Sequence, residues 1–158
     1  LYQIFRTLMR RPLINAYSGQ GVLTYLLSKK AKFVYGIEYQ RSAHECAENL
    51  IKDETEYKIE NVCGKVEDCL KPILQRDKID SIVLDPAREG CKVSVLDEIL
   101  NSRIGKIVYV SCNFSTLVRD LKILQEKYKI LWCKIFDMFP CTANMETVVI
   151  MERKGTFM

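Results

Sequence analysis

The sequence predicts an α/β fold built on a mostly parallel, seven-stranded sheet with helices on both faces. Short apolar runs rich in β-branched residues alternate five times with stretches of helical periodicity. Such alternation is typical of parallel strands joined by right-handed helical crossovers. Two further apolar runs close the chain with no helical stretch between them, so we expect the last strand pair to be antiparallel.

Length and composition place the chain among ordinary globular domains. It has 158 residues, of which 48% are hydrophobic and 28% charged, enough for one domain with a buried core. Seven glycines and four prolines exclude a collagen-like or low-complexity chain. No apolar stretch approaches the roughly 18 residues of a membrane span, and no signal peptide opens the chain. The net charge of +4 permits a nucleic acid partner without requiring one.

Seven cysteines are a high and odd number for this length. They form no C-x-x-C pair and His44 is the only histidine, so we expect no metal site. Nothing in the sequence indicates export, which predicts reduced thiols and a cytoplasmic protein. Most of the cysteines are expected to be small core residues. They stand at positions 46, 63, 69, 91, 112, 133 and 141.

The first third of the chain predicts two strands and three helices. The residues LYQIFRTLMR (1–10) have helical periodicity, and PLINAY (12–17) is a short apolar run typical of a buried strand. After a glycine-containing loop, the helical pattern resumes at 22–28. The run FVYGIE (33–38) predicts a second strand that ends in an acid, and 41–52 places its alanines and Leu-Ile pair on one helical face.

The rest of the chain continues the alternation and then ends in two strands. The runs IDSIVLD and GKIVYVS are almost continuously apolar, which is typical of strands buried on both faces of a sheet. Ser115 is a suitable N-cap for the last helix, and Pro140 lies in a turn between the two final strands. The predicted strands are 58–63, 79–85, 105–111, 129–138 and 145–152, with helices at 65–75, 93–101 and 115–127.

The first candidate site follows the first two strands, because ligands of open α/β sheets bind beyond the carboxyl ends of the strands. Tyr17-Ser18-Gly19-Gln20-Gly21 is a G-x-G loop between a strand and a helix, where the backbone can approach a ligand closely. Glu38 ends the next strand, where a carboxylate can accept both ribose hydroxyls. The pair favours an adenosine-containing ligand. Thr24 replaces the third glycine of the dinucleotide pattern, which favours S-adenosylmethionine over NAD; an ordinary turn is the alternative.

The second candidate site follows the two central strands. Asp85 ends one of them and is fixed by Pro86, so its carboxylate can accept hydrogen bonds from a substrate or cofactor. A carboxylate that only caps the following turn is the alternative. Cys112 follows the next strand, a position that directs its thiol toward the ligand crevice. A buried structural cysteine is the alternative there.

These segments together resemble the RNA uracil-5-methyltransferase family, whose members make 5-methyluridine in tRNA or ribosomal RNA. The resemblance covers nearly the whole chain and implies the Rossmann-like class I methyltransferase fold and S-adenosylmethionine as the cofactor. The segments that carry it are Asp85-Pro86-Ala87-Arg88-x-Gly90, Ile107-Val108-Tyr109-x-Ser111-Cys112-Asn113-x-x-Thr116, Asn15-Ala16-Tyr17-Ser18-Gly19-x-Gly21 and Asp137-Met138-Phe139-Pro140-x-Thr142-x-x-x-Glu146.

The resemblance also implies a role for each matching residue. Cys112 is expected to be the nucleophile that adds to C6 of uracil, and Glu146 the base that removes the C5 proton. Arg88 is in addition a candidate cation for stabilising the thiolate. No metal is required, and the target base has to leave its stack to be reached. The implied cofactor contacts are Tyr17, Gly19, Gly21, Glu38 and Asp85; the implied substrate contacts are Asp85, Arg88 and Asn113.

The sequence departs from the family pattern at several positions. Asn15 and Phe114 stand where Asp and Pro are usual, Lys65 where an acid or amide is common, and Cys141 and Asn144 where histidines are usual. We therefore expect a diverged member. Residues 1–158 are expected to be one catalytic domain, the C-terminal part of a longer protein whose RNA-binding region precedes it.

Two other functions are consistent with parts of this pattern. A domain that binds S-adenosylmethionine or RNA without turnover would keep the glycine loop and Glu38, but it has no chemical need for Cys112 or Glu146. An enzyme that methylates an amine has no need for a nucleophilic thiol, and Arg88 interrupts the Asp-Pro-Pro-Tyr type of tetrapeptide that such enzymes use. The uridine reading therefore accounts for more of the residues.

Overall fold

The computed structural model of the chain describes residues 11–52, 58–137 and 145–155. The strands are β1 (Pro12–Ala16), β2 (Phe33–Glu38), β3 (Ile59–Cys63), β4 (Ser81–Leu84), β5 (Lys106–Ser111), β6 (Tyr128–Phe136) and β7 (Glu146–Arg153). The helices are α1 (Val22–Ser28), α2 (Arg41–Ile51), α3 (Val66–Arg76), α4 (Val93–Asn101) and α5 (Phe114–Leu124). The predicted helix at 1–10 and the turn at Pro140 lie outside the described residues.

These seven strands form one sheet in the order β3-β2-β1-β4-β5-β7-β6. Strands β1 to β5 are parallel, whereas β7 lies between β5 and β6 and is antiparallel to both. The predicted α/β class and the antiparallel C-terminal pair are confirmed. The strand order reverses beside β1, which is the position where open α/β sheets form their ligand crevice.

The central strands are buried on both faces, as their continuous apolar sequences predict. Ile82 of β4 and Ile107 of β5 belong to the larger core, together with residues of α3, α4 and α5. The next residue of each strand, Val83 and Val108, points to the other face and packs with Leu27 of α1. Alternation of side chains along a strand produces this division. The central strands thus have fixed positions, and so do the loops that follow them.

The start of α5 differs from the prediction. The helix begins at Phe114, and its N-cap is Asn113, whose side chain accepts a hydrogen bond from the Ser115 backbone N–H at 3.0 Å. Ser115 is therefore a donor to the cap and not the cap itself. Asn is as good an N-cap as Ser, so the residue nearer to the strand end takes the position. The segment between Cys112 and α5 is correspondingly shorter.

The expectation that most cysteines lie in the core is wrong for those that the structure describes. Of these, only Cys91 is buried, while Cys46, Cys63 and Cys133 are exposed. Cys63 and Cys133 stand on β3 and β6, the two edge strands of the sheet. Edge strands have one neighbour instead of two and are less covered than central strands. Cys69 and Cys112 are half-buried, and Cys141 lies outside the described residues.

Over the described ranges, no helix has the length and apolar character that crossing a membrane would require.

Candidate active site

Three predicted cofactor residues stand side by side at the carboxyl edge of the parallel strands. The ends of β1, β2 and β4 are in register. Tyr17, Glu38 and Asp85 follow or end these strands, so the pairing places them next to one another. The sequence predicts each of them singly; their adjacency comes from the strand order.

The two predicted catalytic residues come from the antiparallel part of the sheet. Ser111 of β5 pairs with Thr147 of β7. Cys112 directly follows Ser111 and Glu146 directly precedes Thr147, so both residues lie at the same end of this antiparallel pair. Since β5 also neighbours β4, this pair lies beside Asp85. The structure therefore brings the nucleophile, the base and the cofactor residues predicted from the sequence to one edge.

Glu38 is held by three backbone N–H groups before any ligand binds. It is buried, and its Oε2 and Oε1 atoms accept hydrogen bonds from the Gly19 N–H at 2.8 Å and the Gln40 N–H at 2.7 Å. Its own carbonyl oxygen accepts from the Gly64 N–H at 2.9 Å. A carboxylate has about four acceptor positions, so each oxygen keeps one for a ligand hydroxyl. The carboxylate is thereby fixed in place and still able to accept.

The loop between β1 and α1 has an unusual backbone. Tyr17 has a positive φ of 63°, which is rare for a residue other than glycine and concentrates at ligand sites. Gly21 has φ 83°, and a Cβ there would lie 2.6 Å from the Cβ of Ala47 on α2. Gly21 is thus required both for its conformation and for the close approach of α2. At Gly19 a Cβ would meet nothing within 4 Å, so the backbone there faces open space.

A cavity of about 600 Å³ lies over these residues, between the loops that follow β1 to β4. Lys92 and Glu67 form an ion pair of 2.6 Å at this cavity, between the first turn of α3 and the N-cap of α4. This contact lowers the pKa of Glu67 and raises that of Lys92. Residues that line the cavity include Tyr17, Glu38, Tyr39, Lys65, Asp85 and Lys92.

The cavity residues that the sequence reasoning missed include Tyr39, Glu67 and Lys92. Tyr39 directly follows Glu38, so its position next to the predicted ribose site was available as a signal. Glu67 and Lys92 gave no such signal, because they stand 25 residues apart and meet only when α3 and α4 pack together.

Asp85 is a carboxylate whose environment raises its pKa. Partial desolvation and the negative charge of Glu146 raise its pKa to about 6. The residue is exposed at the edge of the cavity, so its desolvation is only partial and the charge of Glu146 acts alongside it. A carboxyl group that titrates near pH 6 beside a second carboxylate is typical of functional sites.

The cysteine loop is fixed by its neighbours. Ser111 Oγ donates to the carbonyl oxygen of Asn113 at 2.9 Å and accepts from its N–H at 3.1 Å. The Asn113 amide donates to the carbonyl oxygen of Arg88 at 3.0 Å, while its oxygen caps α5. Cys112 is thus half-buried between two anchored residues, one position before the N-cap of a helix whose N-terminus favours anions.

Both ends of the Asn113 side chain are used within the protein. This makes Asn113 a residue that orients the cysteine loop, and its predicted contact with the substrate stays a prediction. The predicted roles of Arg88 stay predictions as well. Its side chain is exposed at the edge of the site, and its carbonyl oxygen accepts the hydrogen bond that anchors the cysteine loop. In the part of the chain that the structure describes, no group of three or more His, Cys, Asp or Glu side chains is arranged to hold a metal ion.

A family model described as tRNA (uracil-5-)-methyltransferase matches residues 3–154 of the chain. The chain belongs to this family. The resemblance seen in the Asp85 and Cys112 segments is therefore confirmed, and the match extends from the first strand through the last.

Relatives of this chain include two bacterial proteins described as uncharacterised RNA methyltransferases. One, from Fusobacterium nucleatum, is 38% identical over 152 residues, which are 95% of this chain and 33% of the relative. The other, from Caldanaerobacter subterraneus, is 38% identical over 142 residues, 89% of this chain and 31% of the relative. The chain spans about a third of the length of the curated relatives it matches.

Solved structures agree with the fold. The tRNA (uracil-54, C5)-methyltransferase of Pyrococcus abyssi, in complex with S-adenosyl-L-homocysteine, superimposes with a TM-score of 0.82 at 26% identity. The match covers 95% of this chain and 36% of that one. An rRNA methylase of Streptococcus thermophilus has a TM-score of 0.74 at 14% identity, with 96% and 93% of the two chains covered, which supports the fold alone.

Proposed function

We propose that this chain is the catalytic domain of an RNA methyltransferase that transfers a methyl group to C5 of a uridine in tRNA or ribosomal RNA. The observation that carries the proposal is the strand pairing that brings Cys112 and Glu146 to the same end of β5 and β7, with Asp85 on the adjacent strand end. These are the residues that a thiol-dependent methylation of uracil requires. The family and the relatives support RNA as the substrate.

The cofactor prediction is confirmed at the level of the family, since this is a methyltransferase family with a structural neighbour crystallised with S-adenosyl-L-homocysteine. The residues present fit such a group. Glu38 retains acceptor positions for the ribose hydroxyls, the backbone at Gly19 is open, and the cavity of about 600 Å³ has a typical size for a ligand pocket. When bound, S-adenosylmethionine supplies an electrophilic methyl group.

Cys112 makes the pyrimidine reactive. C5 of uracil is a poor nucleophile, because its electron pair is shared with the ring double bond. Addition of the Cys112 thiolate to C6 breaks that double bond and moves its electron pair to C5 and the C4 oxygen, which makes C5 nucleophilic enough to take up a methyl group. The anchors on both sides of Cys112 limit its motion, so the sulfur meets C6 in a fixed direction.

Glu146 completes the reaction as the base. After methylation, C5 carries both the methyl group and its original hydrogen. The Glu146 carboxylate removes that hydrogen as a proton, the C5–C6 double bond forms again, and the bond between C6 and the Cys112 sulfur breaks. Glu146 starts β7 beside Cys112, so the base reaches the same ring that the thiol holds.

Asp85 contributes charge and orientation. Its carboxylate and that of Glu146 are close enough to repel each other, which gives this corner of the site a negative potential. Such a potential favours a cationic methyl donor over its uncharged product. We assign to Asp85 a hydrogen bond with the uracil edge and contact with the cofactor; Arg88 and Asn113 lie next to the same pocket.

The target uridine has to be flipped out of any stack to reach this edge of the sheet. We assign RNA binding chiefly to segments outside this chain, because the chain has a net charge of only +4. A cytoplasmic location and the absence of a required metal remain predictions of the same proposal.

The experiment that tests the proposal is covalent trapping on RNA that contains 5-fluorouridine at the target position. Fluorine cannot leave as a proton, so the adduct persists. The complete protein is expected to form an adduct that survives denaturing electrophoresis, and peptide mass spectrometry should place it on Cys112. Cys112→Ala should form none. Cys133→Ala is the matched control, because this exposed thiol on the edge strand β6 lies outside the site.

The outcomes separate the proposal from its alternatives. An adduct with the Cys133 variant and none with the Cys112 variant supports the mechanism. Methylation of ordinary RNA by Cys112→Ala at the wild-type rate would contradict it. Cofactor binding without any adduct on tRNA or ribosomal RNA would favour a domain that binds S-adenosylmethionine or RNA without turnover.

A further inference from the structure

A fully buried carboxylate lies directly behind the candidate site. Asp120, on α5, has no exposed surface, and its Oδ1 atom pairs with the Arg119 guanidinium at 2.8 Å. Its Oδ2 atom accepts hydrogen bonds from the Tyr109 hydroxyl at 2.6 Å and from the Cys91 N–H at 2.8 Å. A buried charge is stable only when it is paired and hydrogen-bonded, so this arrangement is specific. The proposed chemistry gives none of these groups a task.

The same region of α5 fastens the loop after β4. Arg119 Nη2 donates to the carbonyl oxygen of Glu89 at 2.9 Å. One turn earlier, the Thr116 hydroxyl donates to the carbonyl oxygen of Arg88 at 3.0 Å, next to the Asn113 contact described above. The loop that carries the Asp85 carboxylate and the helix that follows the cysteine are therefore joined along the length of the loop.

The packing between this loop and α5 continues toward the cofactor loop at the buried thiol of Cys91. Cys91 and Tyr109 belong to the same buried core, and Tyr17 packs against that core. Burial raises the pKa of Cys91 to about 11, which keeps this thiol protonated near neutral pH. Cys91 therefore serves as a neutral link and not as a second nucleophile. Burial and these neighbours also raise the pKa of both tyrosines, so they remain hydroxyl donors.

Gly90 shows how closely the loop and the helix fit. It has φ 75°, and a Cβ at this position would lie 2.7 Å from Arg119 Nη2 and 2.7 Å from Asp120 Oδ2. Any larger residue would push the loop away from the buried carboxylate. The loop and the helix are thus closely packed at Gly90, and the distance between them has little freedom to change.

We propose that Asp120 and Tyr109 are positioning residues for the methyl transfer reaction, which hold the Asp85 loop against α5 and so fix the separation between Asp85 and Cys112. The effect on rate rests on the proposed function; the effect on the loop rests on the contacts alone. A displacement of about 1 Å in a reacting group can lower a rate by up to about 100-fold, so a modest loosening of this unit is measurable.

The experiment compares two substitutions that remove the same group. Tyr109→Phe deletes the hydroxyl that donates to Asp120, while Tyr128→Phe deletes an equally buried hydroxyl that donates to the Ile104 carbonyl oxygen at 2.7 Å. Tyr128 starts β6 and pairs with Arg153, at the end of the sheet opposite to the carboxyl ends of the parallel strands. Both variants of the complete protein keep their rings, and we expect similar small losses in Tm.

Two readouts separate positioning from a general loss of stability. With saturating RNA and cofactor, Tyr109→Phe should lower kcat about tenfold or more and leave the KM for RNA and the Kd for cofactor within about twofold. Tyr128→Phe should leave kcat unchanged. Amide hydrogen exchange should quicken in residues 86–92 for Tyr109→Phe alone. Asp120→Asn should reproduce both effects more strongly where it folds.

Equal kcat values for the two tyrosine variants, in an enzyme whose wild type forms the 5-fluorouridine adduct, would overturn the positioning role while the proposed function stands. A wild type that forms no adduct would overturn the proposed function. In that case, unchanged exchange of residues 86–92 in Tyr109→Phe would overturn the positioning role too, and faster exchange would support it.

Discussion

The two sides of the carboxyl edge prepare their carboxylates in opposite ways. On the β1–β2 side, Glu38 is buried and each of its oxygens accepts a backbone N–H. On the β4–β5–β7 side, Asp85 is more exposed, and its pKa is raised by partial desolvation and by Glu146. One carboxylate is stabilised by rigid donors, and the other is held near a like charge.

The difference is consistent with the task that we propose for each side. A group that binds ribose hydroxyls needs fixed acceptors, which backbone N–H groups provide because they do not move with the side chains. A carboxylate near a reacting centre can be held close to a like charge, because the substrate and cofactor reduce that repulsion when they bind. We therefore expect substitutions on the first side to affect binding and substitutions on the second to affect turnover.

The largest expected effect is that of Glu146→Gln. Loss of a general base typically lowers turnover by about 10² to 10⁴-fold, and we expect the methylated covalent adduct to accumulate on ordinary RNA. The Kd for cofactor should stay within about twofold. Single-turnover assays with denaturing gels measure both the rate and the adduct.

Glu152→Gln provides the matched control for that variant. It makes the same change at the other end of β7, where the half-buried carboxylate pairs with the exposed Lys129 at 3.4 Å. Normal turnover by Glu146→Gln, or an equal loss in both variants, would show that Glu146 is not the base.

Glu38→Gln should act on binding and leave turnover nearly intact. The amide has one acceptor oxygen, so either the Gly19 or the Gln40 N–H would face an NH₂ group. We expect the Kd for S-adenosylmethionine to rise about 10- to 100-fold by calorimetry, equivalent to about 1.4–2.8 kcal/mol. With saturating cofactor, kcat should fall less than threefold.

The control is Glu60→Gln, on the neighbouring strand β3, whose carboxylate pairs with Arg76 at 2.8 Å. Its Kd should match that of the wild type. A larger effect of Glu38→Gln on kcat than on Kd would remove the division between the two sides of the site.

Gly21→Ala tests how much of the cofactor side depends on packing. Gly155 has a similar φ of 79° but open space around its Cβ position, so Gly155→Ala measures the backbone strain alone, about 1 kcal/mol. Gly21→Ala adds the contact with Ala47, and we expect a total loss of about 2–4 kcal/mol. Urea unfolding of both variants gives the difference. Equal losses in the free energy of unfolding would mean that α2 moves away from residue 21 at no cost.

Asp85→Asn should have the smallest effect on stability among these variants, and this effect should depend on pH. Because the folded-state pKa of Asp85 is raised to about 6 from its ordinary value of 3.8, the wild type loses stability as pH rises through this range. The variant has no such loss. The two should therefore unfold at the same temperature near pH 4, with the variant gaining an advantage of about 1 kcal/mol or less above pH 6, after allowance for screening by water.

Asp77→Asn should show the opposite sign in the same measurement. Hydrogen bonds from Tyr35 and Arg76 lower the pKa of Asp77, so its stabilising effect is present at neutral pH and is lost on acidification. The variant should then be less stable than the wild type at pH 7. A pH-independent difference for Asp85→Asn would contradict the close approach of Asp85 and Glu146.

Much of the fold was predictable because short-range patterns determine it. The apolar runs at β4 and β5 and the helical periodicity of α4 give their own positions, since burial on both faces or on one face leaves a direct mark on composition. Errors occurred where several residues compete for one task, as at the N-cap of α5, or where the place of a strand in the sheet decides, as for Cys63 and Cys133.

The fold class, the family and the residues placed after each strand could be predicted from the sequence, because these depend on local pattern and on motifs. Tertiary structure was needed to show that Cys112 and Glu146 share one end of β5 and β7, that Glu67 meets Lys92, and that Asp120 lies behind the site. These pairings join segments distant in the chain, and strand order and helix packing create them. No local preference of the residues involved carries that information.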